Sequence, residues 1–467
     1  MIRSRTLIPR PQFRILLSIL CFPILLCVLC FLNRPAAAAP TAETFHFPYP
    51  LKVVDLANGF RAVMVPMPTP GVVNFQTIVR AGSRNELEPG RTGYAHFFEH
   101  MMFRGTARYD EGSYGRILAM LGADGNASTG NDQTSFYMTI PAAGLPKVIE
   151  MEADRFLNLR YNQEQFRKEA GAILGEFSIG RADPGTVLEE TRAALAFRRH
   201  PYGHTVVGTE ADVRAMPDGY DYSLQFYDRY YKPEYAVLLI AGDFDTSRVE
   251  QQVRAEYAGW KRGGYLPPIP EEPPLDQAVR RDLTWPGPTR PTLDISFRTP
   301  AYSDETPATA ALEMIREIYF GETSDIYRRL VEQEGLVESI GASFDRTRDP
   351  YLFTITARLK NPADFDTVHA RILTTVADAA EKPVGLDRLE ATKRHLLAGV
   401  ALSLETPSGV ARRLAEFISL TGDPRRIDRY YQRISDLQPR DLQEAARNWL
   451  DPKRRITLTM TGEEGRP

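Results

Sequence analysis

Gly93-Tyr94-Ala95-His96-Phe97-Phe98-Glu99-His100-Met101-Met102-Phe103-Arg104-Gly105 is the stretch from which the rest of the chain is read. Its aromatic, Met and His residues run without a proline, which predicts a helix over Gly93 to Phe103. Residues three and four apart then share a face. His96, Glu99 and His100 therefore point the same way. Two imidazoles one turn apart hold a single Zn²⁺ through ring nitrogens, and a carboxylate beside them takes the proton of an attacking water. The spacing is H-x-x-E-H, the inverse of the commoner H-E-x-x-H.

Two histidines flanking a glutamate also occur on ordinary surfaces, so a metal site needs more than this motif. A hydrolytic zinc centre takes three protein ligands and leaves a fourth position for water. The third is expected on a second helix facing the first. Gln163 to Gly180 has the apolar spacing of an amphipathic helix, and its Glu169 and Glu176 stand two turns apart on one face. Spacing alone leaves open which of the two is the ligand.

Taken together these residues resemble the pitrilysin, or inverzincin, metallopeptidases, the family that includes insulin-degrading enzyme and the mitochondrial processing peptidases. The resemblance covers nearly all of the chain after residue 45. It implies one Zn²⁺ per chain held by His96, His100 and Glu176, with Glu99 as the general base of an endopeptidase and Glu169 supporting the site from behind. It also implies a role for Asn126-Ala127, on the edge strand to which a peptide substrate adds, main chain to main chain. Family members complete the site with an Arg and a Tyr from an opposite wall, supplied by a later domain in full-length members and by a separate subunit in half-length ones. This chain is half-length. Arg346, Arg348 and Tyr351 are the available types in its second half, without a secure alignment to that pair. The resemblance thus implies a homodimer, or a heterodimer with a zinc-less relative. Relatives that have lost ligands supply the alternative, a non-enzymatic peptide-binding or assembly subunit of the same fold. Intact Glu99 and Glu176 argue against it.

The amino terminus reads as a targeting segment. Arg3, Arg5, Arg10 and Arg14 precede an apolar run over 15–32 and then Ala36 to Ala39, which predicts a signal peptide over 1–38 and an exported, periplasmic or secreted protein. The run 15–32 just reaches the length of a membrane span, so an uncleaved anchor is the alternative. Cys21, Cys27 and Cys30 are the only cysteines and all lie in this segment. The mature chain then has no disulfide, no cysteine nucleophile and no thiolate zinc ligand. A net charge of −3, with no basic block interleaved with aromatics beyond the leader, gives no nucleic-acid footprint.

Lys52 to Leu56, a turn at Asn58-Gly59 and Arg61 to Pro66 predict a hairpin, with Val72 to Arg80 as a buried neighbouring strand and Thr134 to Ile140 as another strand. Gly263 to Leu275 is rich in proline and reads as an extended spacer. It divides a catalytic domain (45–262) from a second repeat (278–462), with the linker at 263–277. In the second repeat Pro291 to Arg298 echoes Val73 to Arg80, and Ala308 to Phe320 sits where the H-x-x-E-H helix sat. Tyr351 to Leu359 echoes the Thr134 strand, and Leu386 to Ser403 echoes the Glu176 helix. The echo has no His on its first helix and no paired Glu around Gly399. His200 and His204 in a Pro/Gly setting, and His369 and His395 on helices, read as structural. The expected fold class is α+β: two homologous repeats, each an antiparallel sheet with helices packed on one face.

Overall fold

The computed structural model describes residues 45–463; the leader over 1–38 and the anchor alternative over 15–32 lie outside them. Gly59, at φ 90°, turns the chain at the Asn-Gly step so that β1 (Lys52–Asp55) pairs antiparallel with β2 (Arg61–Pro66). The first sheet adds β3 (Val72–Val79), β4 (Asp124–Thr129), β5 (Thr134–Pro141) and β6 (Ala236–Gly242) in the order β1-β2-β6-β3-β5-β4. The strand beside the hairpin is thus β6 rather than β3. Every residue of β6 is buried, as an uninterrupted apolar run requires of a central strand covered on both faces.

The second sheet contains β7 (Val279–Trp285), β8 (Thr292–Arg298), β9 (Val337–Phe344), β10 (Leu352–Leu359) and β11 (Ile456–Gly462), in the order β7-β11-β8-β10-β9. Strand for strand this repeats β2-β6-β3-β5-β4. Both sheets are antiparallel except at one corresponding pair, β2 with β6 and β7 with β11, which is parallel. The expected α+β fold of two antiparallel sheets is present, and each sheet adds one parallel pair. The parallel pairs arise because β6 and β11 each return from a long helical excursion rather than a hairpin.

Each repeat's own helices cover one face of its sheet, as expected, and the other face is not left bare. Alternation along the strands sends Ala62, Met64, Phe75, Leu238 and Ile240 under the first repeat's own helices and Val63, Val65, Ile78, Val237 and Leu239 to the opposite face. That opposite face is covered by Leu414, Phe417 and Ile418 on helix Pro407–Thr421 of the second repeat. Helix Pro184–Ala196 returns the exchange, with Leu188 and Ala196 packed on Ile456, Leu458 and Met460 of β11. Phe45 lies across the same seam, its ring 4.7 Å from that of Tyr431. The residues from Phe45 onward accordingly form one compact unit.

Polar groups finish the seam. Arg84 pairs with Asp349 and lies 3.9 Å from Asp132, while Asp132 accepts the Arg348 N–H at 2.8 Å. The spacer is pinned as well, since Glu272 accepts the backbone N–H groups of Arg198, Arg199 and His200. Among the described residues no helix is long and apolar enough to cross a membrane.

Candidate metal centre

The H-x-x-E-H segment forms a helix over Tyr94–Met101. Gly93 opens it at φ 89°, and a Cβ there would stand 2.5 Å from the Val207 carbonyl oxygen, so only glycine fits. The helix has no side-chain cap of its own. Buried Glu86 does that work from a distance, its carboxylate accepting the N–H groups of Gly93 (2.8 Å) and Ala95 (2.7 Å). Burial pushes the Glu86 carboxyl up to about 8 against those donors. Inner residues Ala95, Phe97, Phe98 and Met101 are buried in the first repeat's core, which fixes the helix's rotation and so the direction of its histidines.

Glu169 and Glu176 stand on helix Gln163–Gly180, which an Asn162/Gln165 capping box starts. The two helices bring His96, His100 and Glu176 together, one potential ligand atom from each lying within 4.8 Å of the others. Nε2 of His96 is 3.8 Å and Nε2 of His100 is 3.4 Å from Glu176 Oε2. Glu169, 1% exposed, places Oε1 3.0 Å from His100 Nδ1 and pairs with Arg104 through Oε2. With the Nδ1 proton held there, Nε2 of His100 presents its lone pair toward Glu176. The donor set therefore fits a zinc ion: two imidazole nitrogens and a carboxylate oxygen, with a carboxylate behind one imidazole.

Electrostatics separate the two histidines. Burial, and then the neighbouring His100, push His96 below its usual range. The hydrogen bond to Glu169 outweighs burial at His100 and pushes it up. For Glu169, burial is overcome by the bonds to His100 and Arg104, and its carboxyl is held low.

Glu99, on the same helix face, accepts a hydrogen bond from Thr129 Oγ1 at 2.6 Å. Thr129 ends β4, which lies at the edge of the sheet and pairs on one side only among the described strands. Asn126 is exposed and Ala127 buried on that strand, and Asn126 Oδ1 accepts the Ala127 N–H at 2.9 Å. From Ser128 and Thr129 a cavity of about 790 Å³ runs between the repeats, reaching Arg346 and Tyr351. Arg346 is engaged within the second repeat, and Tyr351 belongs to the seam. Arg346 pairs with Glu416 and lies over the Tyr430 ring, and Tyr351 stacks on Phe197. Arg348 gives its guanidinium to the Arg80 carbonyl oxygen. His200 bonds Asp349, which makes it structural, and His204 bonds the Thr205 carbonyl.

Sequence reasoning missed Arg104 and Thr129. Arg104 continues the four-residue spacing of His96 and His100, which is a legible signal. Thr129 is two residues beyond Ala127 and so on its side of the strand, but its partner in the helix shows only in three dimensions.

A candidate centre on paired helices beneath a sheet edge, with a second repeat that has no histidine on the corresponding first helix, is an arrangement with known relatives. The insulinase family, peptidase family M16, matches residues 63–210, and the M16 inactive domain matches residues 220–396. The chain belongs to peptidase family M16. It is 25% identical to an uncharacterised zinc protease of Streptomyces coelicolor over 414 residues, 87% of this chain and 88% of that one. It is 24% identical to the zinc protease PqqE of Helicobacter pylori, over 87% of this chain and 91% of the relative. In fold it resembles a crystal structure of a protease from Helicobacter pylori, with a TM-score of 0.83, 23% identity, and 89% and 100% of the two chains covered. Pitrilysin is similar at a TM-score of 0.74 and 18% identity, with 91% of this chain matched to 46% of that one.

Proposed function

We propose that this chain is an exported zinc-dependent endopeptidase that cleaves peptides or unfolded polypeptide segments. The observation that carries the reading is the meeting of His96, His100 and Glu176 within 4.8 Å, with Glu99 on the same helix face. Those three residues would hold one Zn²⁺ per chain, and the ion, when bound, supplies Lewis acidity to a peptide carbonyl and acidifies a water. The protein's own groups carry the proton and the substrate. Glu99 takes the proton from the attacking water and delivers it to the leaving amine. Thr129 holds the Glu99 carboxylate in one orientation, and Glu169 fixes the tautomer of His100. The substrate adds as a strand along β4, displacing the Asn126 side chain from the Ala127 N–H to gain a main-chain partner. Beyond Thr129 its chain continues toward the cavity between the repeats.

Arg346, Arg348 and Tyr351 are engaged within the chain, so the reading takes its opposite wall from a second subunit, either another copy or a zinc-less relative. The leader over 1–38 carries the chain out of the cytoplasm, and 15–32 anchors it if uncleaved. The testing experiment is Glu99→Gln, with zinc content and cleavage of a mixed peptide pool measured on the same sample. Bound zinc with turnover lost is expected. Peptidase activity near wild type in that variant rejects the mechanism.

A further inference from the structure

The second repeat holds a pocket of about 290 Å³ between helices Ala308–Phe320 and Leu386–Ser403. These answer to Tyr94–Met101 and Gln163–Gly180 of the first repeat. With Glu313 placed on His96, the buried and half-buried positions of 94–101 and 311–318 coincide everywhere except at that pair. The longer helices have 18 residues each, and laid end to end they put Thr392 on Glu169 and Gly399 on Glu176. All five counterparts, Glu313, Arg316, Glu317, Thr392 and Gly399, line the pocket. It is the vestige of the metal centre with its charges exchanged: Glu stands for each His, and Arg for the base.

Space has opened where a ligand was lost. A Cβ on Gly399 would meet no heavy atom within 4 Å. The carboxylates around that space are already matched, because Arg316 bonds Glu313 at 2.8 Å and Glu317 at 2.5 Å while Arg346 pairs with Glu416. What remains uncommitted is a set of donors. Tyr430 lines the pocket at 0% exposure, and its hydroxyl has no hydrogen-bond partner. Arg316 Nε has none either. Arg413 has its nearest carboxylate oxygen 3.8 Å away, and His395 stands exposed among the lining residues. Buried hydroxyls and guanidinium N–H groups left unmatched are costly, and a group of donors beside a loosely paired guanidinium is satisfied by an oxyanion. A cation would face Arg316, Arg346 and Arg413 together.

We propose that this vestigial site binds a small oxyanion, a phosphate or a carboxylate group, in the place where the first repeat is built for a cation. The test is titration of the full zinc-loaded chain with inorganic phosphate, and separately with a short peptide bearing a free or an amidated C-terminus, followed by calorimetry and thermal unfolding. Saturable binding with a rise in Tm is expected. Displacement of phosphate by the free-acid peptide and not by the amide assigns the physiological anion to a chain terminus; no displacement by either assigns it to phosphate. Arg413→Gln should weaken binding about tenfold or more. Gly399→Glu supplies its own carboxylate to the same space, so it should abolish the phosphate response and raise Tm in phosphate-free buffer. His100→Ala, which disables the first repeat's centre, should leave phosphate binding unchanged. Loss of binding in His100→Ala, an undiminished response in Gly399→Glu, or the absence of saturable binding of either anion to the wild-type chain overturns the proposal.

Discussion

His100 Nδ1 and Glu169 Oε1 lie 3.0 Å apart, and the other oxygen of Glu169 is held by Arg104. The buried carboxylate thus joins the H-x-x-E-H helix to the second helix, accepting from His100 with one oxygen and meeting the Arg104 guanidinium with the other. Glu169→Gln keeps an acceptor for His100 but removes the charge that answers to Arg104. Zinc affinity should fall about 10–100-fold, the usual size of such outer contributions, and Arg104→Gln should lower it less. Competition with a graded series of chelators measures both, and equal affinity in wild type and Glu169→Gln would remove Glu169 from the site.

Thr129→Val keeps the shape of the β4 terminus and deletes the 2.6 Å bond to Glu99. A hydrogen bond to a charged group is worth about 1.5–3 kcal/mol, so kcat should drop on the order of tenfold or more while zinc content stays at the wild-type level. A KM change with kcat intact would show that Thr129 touches the substrate rather than the base.

Two carboxylates, half-buried Asp349 and buried Glu86, give stability opposite dependences on pH. At Asp349 burial is outweighed by hydrogen bonds to His200 and Arg84, and the carboxyl is held well below its usual range. Its contribution is complete above the unfolded value, about 3.9, and is lost as pH falls further. The deficit of Asp349→Asn should therefore be largest above about pH 4 and close below it. Glu86 is the reverse: raised to about 8, it keeps a proton that the unfolded chain gives up from about 4.3 upward. Its contribution is full below that value and is lost as pH rises toward 8. Glu86→Gln should flatten the fall in stability between about pH 5 and 8. Denaturant melts across the pH range decide both slopes.

The sequence carried the two helices of the candidate centre because helical periodicity converts spacing into direction, and His96, Glu99, His100, Glu169 and Glu176 needed nothing else to share a face. The strand echoes at Pro291 and Tyr351 were legible for the same reason: period two survives where chemistry does not. Other features depended on what lies across space. Nothing local marks β6 as the partner of β2, since its seven apolar residues suit any central position. Val63 and Val65 announce a buried second face without saying that helix Pro407–Thr421 covers it. Arg346 and Tyr351 carried chemistry that suited an active site, and only their partners show otherwise: Glu416 holds Arg346 within the second repeat, and Phe197 of the first repeat stacks on Tyr351.

Exchange of helices between the repeats makes a claim about cooperativity. Phe417 is fully buried, and it belongs to the core cluster that contains Val63, Val65, Ile78, Val237 and Leu239 of the first sheet as well as the second repeat's helices. Removing its ring should cost about 3–5 kcal/mol, as large-to-small core changes do. Because that ring covers a sheet of the other repeat, the loss should spread past the linker. Phe417→Ala should lower hydrogen-exchange protection in β2, β3 and β6 together with the second repeat, and thermal unfolding should remain one transition at a lower Tm. Separate unfolding of the second repeat, with amide protection in β3 and β6 left at the wild-type level, would show that the two halves are independent domains and that the helix exchange contributes little to the stability of the first sheet.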